Sequence, residues 1–219
     1  MIDMKISLFR PLSLLALTAV SLSANADDAF NNIAAAPNSY ILGGDIIGPR
    51  LFLGDNYQFT QGLQFTTTRG GSLAGFQLAM NNYGASVGQV GYSVTLLKDN
   101  GSDRLGSVLG TFNGLSTGIY FTNTTSALST VDASNSGVTL TSNTKYWLIA
   151  TGPESLVWSY SLFDTENHYS HDSIANTTDY FHMSAPALSV QVTDPVPEPA
   201  SIAALGLGTV ACLRRRKRG

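Results

Sequence analysis

The sequence predicts an all-β fold, an antiparallel β-sandwich of jelly-roll type, and three observations predict it. Apolar residues alternate with polar ones at period two in several separate runs. Asn- and Gly-rich turn signals separate those runs, and no stretch between them sustains a 3.6-residue period. Successive side chains of a strand point to opposite faces, so each alternating run offers one face for burial. A signal peptide before this domain and a short C-terminal transmembrane helix after it complete the expected layout.

Residues 1–26 read as the signal peptide. Lys5 and Arg10 supply a positive start, Leu12–Leu22 an apolar stretch, and Ala24-Asn25-Ala26 a small-x-small cleavage site before Asp27. The apolar stretch has about 11 residues, against the roughly 20 that a membrane span needs. Met4 stands ahead of Lys5 and is an alternative start.

Residues 27–193 form the predicted domain, expected outside the cytoplasm. Its opening part, Asp27–Asn56, is punctuated by Pro37, Gly43-Gly44 and Gly48-Pro49, with short strands expected at Tyr40–Leu42 and Leu51–Leu53. Alternation then takes over. Tyr57, Phe59, Leu63 and Phe65 share one parity, as do Phe76, Leu78 and Met80, and Val90, Tyr92, Val94 and Leu96. Leu156, Trp158 and Tyr160 follow, then Leu188, Val190 and Val192. β-branched and aromatic side chains dominate these sets, which suits a pleated surface. Turns are expected at Arg69-Gly70-Gly71, Asn81–Gly84, Asp99-Asn100-Gly101, Asn113-Gly114 and Asn135-Ser136-Gly137. Eight to ten short strands in about 170 residues fit one domain of ordinary size.

Composition narrows the function. Charged residues make up 12% of the chain, about half the usual share. Residues 27–194 hold five bases and thirteen acids, a net charge of −8. A domain of that sign with scattered single bases does not attract nucleic acid. The one cysteine, Cys212, lies in the C-terminal apolar run, so the domain has no disulfide and no cysteine ligand for zinc.

No catalytic constellation is legible, so the chain is expected not to be an enzyme and to need no cofactor or metal. His168, His171 and His182 accompany Asp164, Glu166 and Asp172, residue types that bind transition metals. The plainer reading is a polar loop, with His168 and His171 facing opposite ways. Asp99-Asn100-Gly101-Ser102-Asp103 offers oxygens to calcium, yet a hairpin turn built on Asn-Gly explains the same residues. Ser142-Asn143-Thr144-Lys145 matches an S-x-x-K pattern without the helical turn that pattern requires. Trp147 and Trp158 could stack on sugars, but their place in alternating sets makes them core.

The order Gln64–Thr67, Leu73–Met80, Val94–Gly101, Leu105–Gly110, Val138–Leu140 and Lys145–Leu148 resembles the choice-of-anchor R domain, over roughly residues 57–161. That family joins one extracellular β-domain to different C-terminal anchors, which implies a fold and a compartment.

Residues 194–219 form the tail. Pro197-Glu198-Pro199 precedes the 14-residue apolar run Ala200–Leu213, and Arg214, Arg215, Arg216, Lys217 and Arg218 close the chain. The short run makes a marginal span, helped by snorkelling arginines, and positive charge stays cytoplasmic. Prolines at 195, 197 and 199 oppose backward growth of a helix. In all three parts the tail resembles the PEP-CTERM sorting signal of Gram-negative bacteria. The resemblance implies a membrane-embedded exosortase as partner, inner-membrane anchoring with the domain outside, and transfer to the cell surface or extracellular matrix. The expected product is a non-enzymatic cell-surface or biofilm-matrix protein. A carbohydrate-binding module, with extracellular polysaccharide as partner, is the alternative, followed by a glycan-acting hydrolase.

Overall fold

The structure, a computed structural model, describes residues 26–33, 43–52, 55–83, 88–116 and 128–194. Most of the signal peptide, the strand expected at Tyr40–Leu42 and the chain from Pro195 onward lie outside these residues. The described chain is all-β, without a helix. The strands are β1 (Ala26–Asn31), β2 (Gly44–Phe52), β3 (Asp55–Thr66), β4 (Gly71–Leu78), β5 (Met80–Asn82), β6 (Gly91–Asp99) and β7 (Leu105–Leu115). They continue as β8 (Ser129–Asp132), β9 (Thr139–Leu140), β10 (Lys145–Thr151), β11 (Leu156–Asp172), β12 (Thr177–Pro186) and β13 (Leu188–Thr193).

One sheet has the order β1-β13-β4-β8, with β9 also on β4; the other runs β12-β11-β2-β3-β10-β6-β7, with β5 on β11. The long strand β11 serves two neighbourhoods. Its start, Leu156–Ser159, lies between β2 and β5, while its end, His168–Asp172, lies between β3 and β12. Since β2 also pairs with β3, the three strands β2, β3 and β11 close on one another like a small barrel.

The two sheets exchange strands at one corner. The run β4–β5 breaks at Ala79 as its partner changes from β13 to β11. The run β12–β13 breaks at Ala187 as its partner changes from β11 to β4. There Ala79 N–H donates to Ala187 O (3.3 Å), Ala187 N–H to Ser159 O (2.8 Å) and Ser159 N–H to Ala79 O (2.9 Å). All three residues are buried, so the cycle satisfies backbone groups that water cannot reach. Methyl-sized side chains at 79 and 187 suit the crowding of three backbones. Trp158 Nε1–H adds a bond to Ala187 O at 3.0 Å.

Both sheets feed one core. Phe76, Leu78, Val131 and Val190 come from the first sheet, and Leu63, Phe65, Leu96 and Leu148 from the second. The alternating sets therefore bury the faces expected of them for β4, β6 and β13. In β3 and β10 both faces are covered. Gln61 and Gln64 are buried beside Leu63 and Phe65, and Tyr146–Ala150 are buried without a break. A second cluster, Leu97, Trp147 and Ile149 against Leu105, Tyr169 and Tyr180, covers the outer face of β6 and β10.

Two expected turns prove to be strand. Asn81 and Asn82 are the end of β5, buried because Asn81 Nδ2 donates to Ser159 Oγ and Asn82 Nδ2 to Gly88 O. Asn113-Gly114 lies inside β7, where a Cβ on Gly114 would stand 2.5 Å from the Tyr92 ring. The turns at Arg69-Gly70-Gly71, Asp99-Asn100-Gly101 and Asn135-Ser136-Gly137 fall at strand junctions as expected, with Gly71 starting β4 and Asp99 ending β6. The polar loop expected around His168 is instead the second half of β11.

Tyr92 links the sheets through its hydroxyl, which bonds Ser129 Oγ. Burial raises its pKa to about 12, with the Ser129 bond opposing the shift. A folded-state pKa above the unfolded value means stability present below about pH 10 and lost as pH rises to about 12. Alkaline unfolding followed by tryptophan fluorescence is expected to flatten across that window in Tyr92→Phe; an unchanged pH slope would refute the assignment.

Candidate functional site

The polar groups of the domain gather in three places. The first is the outer face of the second sheet, where the turn between β6 and β7 folds back over β10. Asp99 Oδ2 accepts from Trp147 Nε1 (2.9 Å) and from Gln64 Nε2 (2.9 Å). The same Gln64 nitrogen donates to Asp103 Oδ1 at 2.9 Å, and Asn167 Nδ2 donates to Gln64 Oε1 at 2.7 Å. Lys145 Nζ pairs with Asp103 at 2.6 Å. Lys145 and Gln64 hold the Asp103 carboxyl below the usual carboxylate range, and Asp103 in turn raises Lys145.

Aromatic groups border this network. The Arg104 guanidinium lies 4.1 Å above the Tyr180 ring, which meets Trp147 edge-on at 5.8 Å. Ser102, Asp103, Arg104, Asn167, Tyr180 and His182 line a shallow groove of about 360 Å³. Trp147 is fully buried beneath it and is core, as its sequence pattern indicates, while Tyr180, half-buried under Arg104, and the exposed His182 lie at the groove.

The calcium reading of the 99–103 turn does not fit these bonds. Gly101 N–H donates to Asp99 Oδ1 and Ser102 N–H to Asn100 Oδ1, the pattern of a self-satisfied hairpin. Calcium wants six to eight free oxygen ligands. Ser142 Oγ donates to Thr68 O while Lys145 turns to Asp103, so the S-x-x-K pair does not meet.

The second place is the closure of β2, β3 and β11. Asp45 accepts from Tyr160 OH at 2.8 Å and faces His168 Nδ1 at 3.1 Å, with His168 fully buried and stacked on Phe181. Carboxylate, imidazole and phenol here resemble the orienting half of an acid–base site. Burial of the whole imidazole leaves no approach for a substrate. His171 instead bonds Thr177 O and Thr178, and His182 is exposed on β12. The three histidines do not converge. Among the described residues, no group of three or more His, Cys, Asp or Glu side chains is placed to hold a metal ion.

The third place is the end of the domain where both termini emerge. β1 and β13 are antiparallel neighbours, with Ala26 opposite Thr193 and Asp27 opposite Val192. Arg69, on the turn between β3 and β4, bridges them, with one guanidinium nitrogen 2.6 Å from Asp27 and the other 2.7 Å from Asp194. Gly71 lets that turn sit close, since a Cβ there would stand 2.6 Å from Thr193 O. Of the expected cleavage site, Ala26 and Asp27 thus lie in β1, while Ala24 is outside the described residues. Pro197, Glu198, Pro199 and the basic residues 214–218 are outside them too. No sequence spacing announces the Arg69 bridge, because its partners stand at opposite ends of the domain.

The segment after Asp194 decides the chain's route. Residues 195–218 match the PEP-CTERM protein-sorting motif. That motif indicates sorting of an exported protein by an exosortase-type membrane enzyme. Neither a curated protein nor a solved structure matches the chain.

Proposed function

We propose that the chain is a non-catalytic β-domain protein of the cell surface or biofilm matrix, carried there by its C-terminal tail. A signal peptide over residues 1–26 starts export, and the run 200–213 with basic residues 214–218 anchors the chain in the inner membrane before transfer. The domain is read as a jelly-roll sandwich of the choice-of-anchor R kind. The observation that carries the proposal is the sorting motif at 195–218, starting directly after Asp194. The absence of a catalytic role is supported by the carboxylates. Asp99 accepts from Trp147, Gln64 and Gly101 N–H, and Asp103 from Gln64 and Lys145, so both carboxyls are engaged within the domain.

The test expresses the full chain with and without an exosortase and measures the C-terminal mass of the product. Cleavage near Pro197–Pro199 is expected only with the enzyme, and Pro197→Ala/Glu198→Ala/Pro199→Ala is expected to stay full-length. Identical masses under both conditions would defeat the proposal.

A second reading makes the groove beside Tyr180 a polysaccharide site. Tyr180 holds the Arg104 guanidinium over its ring, and Arg104 with Asn167 and His182 offers hydrogen-bonding groups suited to the hydroxyls of a sugar. On an array of envelope glycans, Tyr180→Ala is expected to lose binding by at least about tenfold, or 1.4 kcal/mol. Wild-type protein that binds no glycan would dismiss this reading.

A further inference from the structure

We infer that the end of the domain carrying the Arg69 bridge is the surface that docks on the sorting enzyme; the inference rests on the sorting reading above. Three observations carry it. The last residue of the described domain, Asp194, is tied to Arg69 at 2.7 Å, so the root of the tail is fixed against the domain. Five residues, 195–199, then separate it from the apolar run that starts at Ala200. A chain spans at most about 3.6 Å per residue, so the domain's end stays within roughly 20 Å of the membrane segment while the motif is engaged.

That end is also a built surface. Asn143 N–H donates to Thr67 O and Ser142 Oγ to Thr68 O, which locks the turn before β10 onto the turn after β3. β1 and β13 finish beside them under Arg69. The surface offers hydroxyls at Thr66, Thr68 and Thr141, with the acids Asp27, Asp28 and Asp194 around Arg69, and Lys145, opposite Thr66, paired with Asp103. The tether sets the occupant, because the membrane-embedded enzyme that engages the motif at 195–218 is the body held within reach of this end. The opposite end, with Thr151 and Leu115, is one strand length further away, roughly 20 Å. The tail therefore holds the Arg69 end nearest the enzyme.

The experiment uses the full chain together with the exosortase. A photo-reactive residue is placed at Thr66 or Thr141 on the docking end, and at Thr151 or Leu115 on the far end. In parallel, a flexible Gly/Ser insertion of about 20 residues separates Asp194 from Pro195. Cross-links to the enzyme are expected from Thr66 and Thr141 alone, and the insertion is expected to slow cleavage roughly fivefold or more by lowering the effective concentration of the docked end. An uncut wild-type chain would sink the sorting reading and this inference with it. A wild-type chain that is cut, together with an insertion variant cut at the same rate or an absence of cross-links from Thr66 and Thr141, would overturn the inference alone.

Discussion

Trp158→Ala is expected to destabilise the domain by about 3–5 kcal/mol, the range for deleting a buried aromatic side chain. Trp158 is fully buried in the core shared by both sheets, on the segment of β11 that lies between β2 and β5. Its Nε1–H also donates to Ala187 O, one of the three carbonyls in the corner cycle. Truncation thus opens a cavity where the sheets exchange strands and removes a bond from the same point. Trp158→Phe separates the two effects. It keeps most of the volume, and Ala187 O retains its bond from Ala79, so a smaller loss of about 1–3 kcal/mol is expected. Denaturant midpoints at constant m-value measure both. Equal losses for the two variants would show that the lost hydrogen bond, and not the cavity, sets the cost.

His168→Leu is the second large effect, at about 1–3 kcal/mol, the cost of leaving a buried polar group short of a hydrogen-bond partner. The imidazole is fully buried, and Asp45 beside it is nearly so. Removing the imidazole leaves Asp45 with the Tyr160 hydroxyl but without its ring partner inside the closure of β2, β3 and β11. The double variant Asp45→Leu/His168→Leu is expected to recover most of the loss, because replacing both members of a buried pair by apolar groups is often neutral or better. A double variant as unstable as the sum of the singles would mean that the two side chains are not coupled.

The all-β class was legible because β6 and β13 follow the simplest rule. Val90, Tyr92, Val94 and Leu96, and then Leu188, Val190 and Val192, each present one buried parity. The rule fails where both faces are covered. Gln61 and Gln64 on β3 are polar and buried, since Gln61 Nε2 reaches Ile46 O and Gln64 reaches Asp99, Asp103 and Asn167. Those partners are distant in sequence, and alternation carries no trace of them. Asn81-Asn82 and Asn113-Gly114 show a related limit. Amide side chains and glycine favour turns, but they also fill crowded strand positions when a hydroxyl, a carbonyl or an aromatic ring waits opposite. The histidine-bearing segment failed in the same way, because its polarity hides a strand whose inner residue is paired with Asp45. At the candidate sites, the tail was readable from local composition. The Arg69 bridge and the Asp99–Gln64–Asp103 network are tertiary, and so emerged only with the fold.

The wiring of the first sheet has a consequence in time. β1 is the first described strand and β13 the last, yet they pair along their whole length, and β4 completes its hydrogen bonds on β13's other side. A growing chain that has reached only Asp172 lacks the strand between β1 and β4, and it also lacks the Ala187 arm of the corner. Folding dominated by such late, non-local pairings is slow compared with folding from local contacts. The domain therefore commits to its final shape only after Thr193 is made. That order suits an exported protein whose domain takes its shape only once the whole of it is available.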